Sequence, residues 1–415
     1  MKIFFVTRLF TGFENSLKQS NWSPEGLPTI YKLIDELDKK NTLYLYFLAK
    51  DSGKTYSSGW NYKKDMKIAL KELKAQTYVF AGINYFYSFI PKNFAMLLRD
   101  FRHLVLLIFL IRKNKPDLIY LDSSNVVIAA IIKIIFPKKN IVLRVLGICS
   151  FLRSIPNSKR IVNTVYKWAF KSHFSAVIGT QDGSGTEVWL NKLLNNNVKR
   201  YVLLNGVDKI LKDNHLKKNY INIKRVNREK VLILFLGRLE ASKGINFFLE
   251  AAFKTLKYYK KKIKFIVVGD GSLYQTIINK VNKNNMNYNF EFLRNIPHNE
   301  VMQLQSISDI YISTNTDGNL SNANLEAISA NKCMIIPRKR HTENIDIETE
   351  LLLKDAVLYY KNNDLASLIE KIKFLITSPK QIKRMSKKIQ IRKKLFLKSW
   401  KERVDEEKNI LYRLK

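Results

Sequence analysis

The stretch VLILFLGRLEASKG, residues Val231–Gly244, decides the fold prediction. Its first six residues are all apolar, which is typical of a strand that is buried on both faces of a parallel sheet. The apolar run stops at Gly237, and the residues after Gly244 have helical spacing. A buried strand that turns sharply into a helix is the repeating unit of Rossmann-like domains, so we expect one of these domains here.

The same alternation of strand and helix extends along the chain in both directions. In the first half, apolar runs predict strands at 2–6, 43–48, 118–121, 141–145, 176–179 and 201–204. In the second half, they predict strands at 231–236, 265–268, 290–293, 310–313, 334–336 and 357–359. Helix-length amphipathic segments lie between the strands, and this order favours two α/β domains with parallel sheets.

The domain boundaries follow from a break in this alternation. Residues 209–229 are rich in Lys, Asn and Arg with little apolar periodicity, and we predict a linker there. The first domain would then span 1–208 and the second 230–395. The tail, 396–415, has an apolar stripe at helical spacing, and we expect one helix that packs back on the first domain.

Composition limits the class of protein. The chain has 415 residues and two cysteines, too few for a disulfide framework or a zinc site. No apolar run reaches the roughly 18 residues of a membrane span, and the apolar N-terminus is better explained by a first strand than by a signal peptide. We therefore expect a cytoplasmic protein.

The formal net charge of +37 suggests a polyanionic partner, because 72 Lys and Arg face only 35 Asp and Glu. Three explanations stay open: compositional bias alone, bias combined with contact to an anionic membrane at the inner face, and nucleic acid, which we do not expect. The apolar segment 94–115, with basic ends, predicts either a buried crossover helix or a helix that lies partly in a leaflet.

Gly237 and the two cations that follow it suggest a phosphate site. A glycine at a strand end lets a ligand approach the backbone, and Arg238 and Lys243 stand beside the start of a helix, where anions are favoured. The alternative is a strand end with two surface cations. FIVVGDGSL, from Phe265 to Leu273, is a second strand with a glycine turn, which either admits a ligand or only tightens the turn.

The polar loop STNTDGNLSNANLEAISANK, from Ser313 to Lys332, leads into a helix that carries Glu326. Asn319, Ser321 and Asn322 would present side chains and backbone N–H groups at the helix start. Glu326 would accept hydrogen bonds from the two hydroxyls of a ribose, or else be an exposed residue of a capped helix. The five histidines do not cluster, no Asp-x-Asp follows a strand, and we interpret Asp346 as solvated.

Together these motifs resemble the family 4 glycosyltransferases of GT-B fold. The resemblance covers most of the chain, and its motifs follow in the family's order: LNGVD, LGRLEASKG, VVGDGSL, PHNEV, SDIYIST and LEAISANK. The N-terminal FFVTRLF and EGLPTIYKLI, with GTQDGSGTEV at 179–188, look like a bacterial branch that works on surface polysaccharides such as capsule or lipopolysaccharide. The resemblance implies two parallel sheets that face each other across a cleft.

The resemblance also implies a reaction and a set of roles. The reaction is transfer of a sugar from a nucleotide-sugar donor, with retention of configuration and no required metal or other cofactor, to a saccharide or lipid-linked acceptor. Arg238 and Lys243 would hold the donor diphosphate and Glu326 the ribose. The remaining donor-side residues would be Gly237, Gly269 and the loop residues Asn319, Leu320, Ser321 and Asn322. The acceptor-side candidates are Gly26, Thr29 and Arg144.

The sequence departs from the family pattern in two places. The family has two acids separated by seven residues, and counting back from Glu326 puts Gly318 at the first position, with Asp317 one residue further away. Either Asp317 substitutes as a catalytic acid in an altered loop, which we favour, or the first acid is missing. The family's histidine after the strand 141–145 is also absent, and Arg144 stands in that region. The alternative functions are a GT-B nucleotide-sugar epimerase and a non-catalytic basic protein that binds nucleic acid or membrane.

Overall fold

The computed structural model describes residues 1–50, 64–82, 91–208, 217–294 and 296–414, which form two compact units. Unit 1 comprises residues 1–180, 186–203 and 401–415. Unit 2 comprises residues 181–185 and 204–400. The five residues 181–185 thus belong to unit 2, although the chain on both sides of them belongs to unit 1.

Unit 1 is built on an eight-stranded sheet. Its strands are β1 (Lys2–Arg8), β2 (Thr42–Leu48), β3 (Met66–Ile68), β4 (Gln76–Phe80), β5 (Leu118–Asp122), β6 (Asn140–Val145), β7 (Ala176–Gln181) and β8 (Lys199–Leu204). Its helices are α1 (Glu14–Gln19), α2 (Pro28–Asp38), α3 (Lys92–Asn114), α4 (Val126–Ile135), α5 (Ser150–Ser154), α6 (Ile161–Phe170) and α7 (Thr186–Leu193). The strand order is β3-β4-β2-β1-β5-β6-β7-β8.

The central strand β1 shows why the sequence lacks polar alternation. It pairs in parallel with β2 on one side and β5 on the other. Phe4 and Val6 point into the hydrophobic cluster on one face of the sheet, and Ile3 and Phe5 point into the cluster on the opposite face. Because helices cover both faces, every position between the two ends of this strand is buried.

Unit 2 contains a six-stranded sheet whose paired strands are all parallel. Its strands are β9 (Val231–Leu236), β10 (Ile263–Val268), β11 (Phe290–Leu293), β12 (Ile310–Ile312), β13 (Cys333–Pro337) and β14 (Leu358–Tyr360). Its helices are α8 (Lys218–Val226), α9 (Ile245–Tyr259), α10 (Tyr274–Lys283), α11 (His298–Ile307), α12 (Asn322–Ser329), α13 (Ile347–Leu353), α14 (Leu365–Thr377) and α15 (Pro379–Arg392). The strand order is β11-β10-β9-β12-β13-β14.

Two strands and one helix have no counterpart in the sequence predictions. Strands β3 and β4 were not predicted, because three and five residues carry too little apolar pattern. Within the predicted linker 209–229, residues 209–216 lie outside the described residues, but 218–226 form the helix α8. That helix is anchored by Lys217, whose ammonium lies 2.5 Å from the Glu300 carboxylate on α11, a contact between segments distant in sequence.

The tail helix, α16, spans Trp400–Tyr412 and so begins later than the predicted 396. Residues 401–415 group with unit 1, and a buried charge cluster holds them there. Glu407 accepts a hydrogen bond from Tyr120 (2.5 Å) and lies 2.8 Å from the Arg403 guanidinium and 3.5 Å from that of Arg144. Each buried charge in this cluster depends on the others, because unpaired charges are costly in a protein interior.

Candidate functional site

The strand order of unit 2 identifies the edge at which a ligand would bind. From β9 the chain adds β10 and β11 on one side, and then β12, β13 and β14 on the other. The carboxyl ends of β9 and β12 therefore flank a topological switch point, the usual ligand crevice in open parallel sheets. The loops that follow these strands are 237–244 and 313–321, the two segments in which the sequence predicted a site.

The glycines of this edge let two loops pack backbone against backbone. The Gly237 N–H donates to Val268 O (3.1 Å), and the Leu239 N–H donates to Asp270 O (2.8 Å). Gly269 has φ of +141°, and a Cβ atom there would overlap Gly237 O. A Cβ atom on Gly237 itself would meet nothing within 4 Å. Gly269 is thus required by the fold, whereas Gly237 leaves open space beside the strand end.

Lys243 is a partly buried cation at this ligand edge of unit 2. Its ammonium lies 3.4 Å from Asn315 Oδ1, and its side chain is half-buried whereas Arg238 is exposed. Burial lowers the pKa of Lys243 below its ordinary value, and the positive charge of Arg238 lowers it further, while the carboxylates of Asp317 and Asp182 oppose this shift. The structure therefore brings Arg238, Asp317 and a further acid, Asp182, within electrostatic range of Lys243.

The loop after β12 is held by a network around Asn319, which is fully buried. Asn319 donates from Nδ2 to Asp346 Oδ2 (2.7 Å) and to Asn315 O (3.0 Å). Its Oδ1 accepts from the hydroxyl of Ser313 (2.7 Å). This corrects the expectation that the Asn319 side chain faces a ligand, because its polar atoms serve the loop.

The backbone N–H groups of the same loop are also partly engaged. The Asn319 N–H donates to Asp346 Oδ1 (2.6 Å), and the Leu320 N–H donates to Asp182 O (3.0 Å). These two groups are thus not available to a sugar or a phosphate, contrary to expectation. Ser321 caps α12 by accepting from the Asn324 N–H (3.5 Å), and Asn322 accepts from Asn205 Nδ2 (2.7 Å) through its side chain.

Asp346 was interpreted from the sequence as solvated, and that interpretation was wrong. Only 1% of the residue is exposed, and its carboxylate accepts hydrogen bonds from Asn319 and Thr349. Burial raises its pKa to about 6, although these hydrogen bonds and the charge of Arg340 act in the opposite direction. The polar composition around Asp346 concealed this role, because the residues that bury it are distant in sequence.

Residues 181–185 support the loop after β12, a contact that sequence reasoning missed. A Cβ atom on Gly318 would crowd Asp182 O, and the Asp346 N–H donates to Gly183 O (2.7 Å). Burial raises the pKa of Asp182, although Ser184 donates to its carboxylate. The glycine-rich GTQDGSGTEV was the available signal: close packing of backbones requires glycine on both sides.

Glu326 lies on α12 with its carboxylate 2.8 Å from His298 Nε2, at the start of α11. The other ring nitrogen of His298 is 3.9 Å from the Asp208 carboxylate. Sequence reasoning quoted PHNEV as a motif but gave His298 no role. The contact fixes the Glu326 side chain, and a residue held in this way can present its second carboxylate oxygen to a ligand.

The acceptor-side candidates lie in unit 1 and have different environments. Gly26 is exposed with φ of +63°, just before α2. Thr29 is buried, and its hydroxyl accepts from Arg144 (2.9 Å). Arg144 is fully buried and donates to Val145 O, Ile178 O and Thr180. The prediction that Arg144 faces an acceptor is therefore corrected, because its guanidinium serves the core and the Glu407 cluster.

The described residues contain neither a candidate membrane span nor a candidate metal site. No helix among these residues is both long and apolar enough to cross a bilayer. No group of three or more His, Cys, Asp or Glu in the same ranges is placed to hold a metal ion.

Comparisons with known proteins agree with this architecture. Residues 203–392 match the family model of glycosyl transferases group 1. An uncharacterized glycosyltransferase of Methanocaldococcus jannaschii is 26% identical over 236 residues, covering 54% of this chain and 55% of that protein. The chain thus spans about half the length of the curated relatives it matches.

Solved structures match over the full chain. Sucrose-phosphate synthase from Thermosynechococcus elongatus has a TM-score of 0.69 at 12% identity, with 100% of this chain and 99% of that chain covered. Anabaena HepE in complex with UDP has a TM-score of 0.67 at 15% identity, with 100% of both chains covered. These likenesses show a fold of GT-B type, and the prediction of an α/β protein with two Rossmann-like units and parallel sheets is confirmed.

Proposed function

We propose that the protein is a retaining, metal-independent glycosyltransferase of the hexosyltransferase type. It would move a sugar from a nucleotide-sugar donor to a saccharide or lipid-linked acceptor in the synthesis of a bacterial surface polysaccharide. The observation that carries the proposal is the placement of Lys243 at the switch point of unit 2, with Arg238, Asp317 and Asp182 in electrostatic range. The group 1 family match over this unit, and the UDP held by the HepE structure, support a nucleotide-sugar donor.

The proposed chemistry uses the cations at the leaving group. Cleavage of the bond between the sugar and the nucleotide leaves negative charge on the diphosphate and positive character on the sugar. Arg238 and Lys243 would stabilise the diphosphate as its charge develops, a role that a metal ion fills in other enzymes. Glu326, held by His298, would accept hydrogen bonds from the ribose, and Asp317 would lie on the sugar side of Lys243.

Lys243→Ala tests this assignment directly. Each charge-assisted hydrogen bond contributes on the order of 1.5–3 kcal/mol, so kcat/KM should fall at least about tenfold. Lys257→Ala is the matched control, because Lys257 is an exposed lysine of α9 in the same unit. Equal activity of the two variants in a transfer assay with radiolabelled nucleotide sugars would contradict the proposal.

Product analysis separates the competing functions. A glycosyltransferase of the proposed type releases the nucleoside diphosphate only with acceptor present, and NMR of the product shows the donor's anomeric configuration. A free epimer of the donor sugar formed without acceptor would identify an epimerase. Salt-sensitive binding of nucleic acid that survives Lys243→Ala, with no affinity for any nucleotide sugar, would identify a basic binding protein.

We also propose contact with the inner face of the cytoplasmic membrane through α3. Leu97, Phe101, Val105 and Phe109 recur every four residues along this helix, and each is between 49% and 67% exposed. The opposite side of α3 is buried in unit 1, and Arg112 and Lys113 stand at its end. Such a stripe fits the interface of an anionic leaflet, where each basic residue contributes about 1 kcal/mol.

Vesicle sedimentation tests the contact. The protein should bind vesicles that contain anionic lipid, and Leu97→Ser with Phe101→Ser should weaken this binding. The paired control replaces two exposed apolar residues of unit 2, Tyr258 and Leu351, with serine. Equal losses in the two pairs would rule out a specific role of α3.

A further inference from the structure

Unit 1 contains a second switch point, and a cavity of about 480 Å³ opens beside it. From β1 the chain adds β2 and β4 on one side, and then β5 to β8 on the other. The cavity lies at the carboxyl ends of β1 and β5, the position that favours ligands in open parallel sheets. Its charged lining residues are Arg8, Lys50, Arg99, Asp100 and Asp122.

Two cations of this cavity, Arg99 and Lys50, meet the same carboxylate, that of Asp100. Arg99 is 2% exposed; its Nε donates to Asp100 (2.9 Å), but its Nη1 is buried and has no hydrogen-bond partner among the described residues. Lys50 lies 3.5 Å from the same carboxylate and donates to Ser124 O (2.8 Å). One carboxylate therefore serves both the buried Arg99 and the half-buried Lys50, and a donor of Arg99 stays unsatisfied, which is costly in a protein interior.

Asp122 does not make up the deficit, because its carboxylate is already engaged. It accepts from the hydroxyl of Thr7 (2.8 Å) and from the N–H groups of Arg8 (2.5 Å) and Ser124 (2.8 Å). These contacts tie together the ends of β1 and β5. Among the described residues, the wall of the cavity therefore carries a donor of Arg99 that no carboxylate accepts.

We propose that this cavity binds a phosphate group carried by the acceptor, with Arg99 and Lys50 as its donors. The proposal rests on the proposed function, since it names the chemical class of the acceptor. The guanidinium and the ammonium supply the fork and the point charge that phosphates prefer. The remaining wall includes Phe10, Met96 and Phe151, apolar side chains that fit the sugar faces or the lipid of a phosphorylated acceptor.

The state of Lys50 agrees with this assignment. Burial lowers its pKa, and the nearby charge of Arg99 lowers it further, although Asp100 and Asp122 act in the opposite direction. A bound phosphate would supply the missing negative charge and favour the protonated amine.

Binding of inorganic phosphate tests the proposal, and it should be measured in a background that lacks the cations of unit 2. In the Arg238→Ala, Lys243→Ala double variant, calorimetry should still detect phosphate. Adding Lys50→Met should weaken binding at least about tenfold, because a charge-assisted contact is lost. Lys192→Met, an exposed lysine of α7, is the matched control and should leave phosphate binding unchanged.

Asp100→Asn provides a second variant, with the opposite expected effect on phosphate affinity. It removes the carboxylate that competes for both cations, and phosphate should bind several-fold more tightly. Circular dichroism checks that each variant is folded. The proposal is overturned if phosphate binding survives Lys50→Met, or if it disappears in the double variant of unit 2.

Competition identifies the source of the phosphate. Displacement of inorganic phosphate by glucose 1-phosphate indicates a soluble sugar phosphate, and displacement by phosphatidylcholine vesicles that carry a polyisoprenyl phosphate indicates a lipid-linked acceptor. Nucleotide-sugar binding should be unchanged in Lys50→Met. If the wild-type protein does not bind nucleotide sugars, the proposed function is refuted. If phosphate binding does not depend on Lys50, only this inference is refuted.

Discussion

The two switch points of the molecule are built in different ways. At the edge of unit 2, glycine backbones approach one another, and the cations follow one strand within a few residues. At the edge of unit 1, the charged groups come from the ends of β1 and β5, from Lys50 just after β2, and from α3, so their contact depends on the folded sheet. A site made from contiguous loops leaves a signature in the sequence, and a site made from distant side chains does not.

The largest expected effect comes from the buried side-chain charges of unit 1. Glu407→Ala leaves Arg144 and Arg403 buried without their counter-charge, and breaking a buried pair costs about 3–5 kcal/mol. We expect the free energy of unfolding, measured with denaturant, to fall by about 5 kcal/mol, the upper end of this range. Glu402→Ala, at an exposed position of α16, should change it by less than about 0.5 kcal/mol. Similar losses of unfolding free energy in the two variants would contradict the view that unit 1 depends on buried side-chain charges.

The second prediction tests the close backbone packing at the ligand edge of unit 2. Gly269→Ala places a Cβ atom against Gly237 O at a φ of +141°. Strain and overpacking each cost about 1–3 kcal/mol, so we expect a loss of about 4 kcal/mol in stability and weaker nucleotide binding. Gly237→Ala is the control, since no atom lies within 4 Å of its added Cβ. If the two alanines have equal effects on the unfolding free energy, close backbone packing does not shape this edge.

The third prediction uses the buried carboxylate of Asp346. Its pKa in the folded protein is about 6 against an ordinary value of 3.8, so the folded state retains a proton that the unfolded state has lost. The unfolding free energy should therefore fall as the pH rises from about 4 to about 6, by at most about 3 kcal/mol from this group. Asp346→Asn, which cannot ionise, should show a shallower fall. A pH profile parallel to that of the wild type would contradict the assignment.

The smallest expected effect is the pH dependence of donor binding. Because the pKa of Lys243 is lowered, its charge is lost at a lower pH than that of an ordinary lysine. Affinity for the nucleotide sugar should therefore decline on the alkaline side before other lysines titrate, as calorimetry at a series of pH values would show. Lys243→Arg keeps its charge and should remove this decline. A decline that persists unchanged in the arginine variant would assign it to another group.

Particular elements show where sequence reasoning reached its limit. β9 has the predicted bounds, because a long apolar run that ends at a glycine marks a buried strand clearly. The short strand β3 and the lysine-rich helix α8 were missed, since their stability comes from neighbours rather than from their own pattern. Asp346 was misjudged for the same reason: its local sequence is polar, and its burial depends on Asn319 and Gly183.

The sequence by itself determined the α/β class, the succession of the principal strands along the chain, and the position of Gly237, Arg238 and Lys243 beside a strand end. These features are local, and each follows from a few neighbouring residues. Only the tertiary structure decided that Arg144 belongs to a buried charge cluster, that residues 181–185 support the loop of unit 2, and that Lys50 and Arg99 share one carboxylate. Those contacts join segments distant in sequence, and burial, which sets their chemistry, is a property of the folded chain.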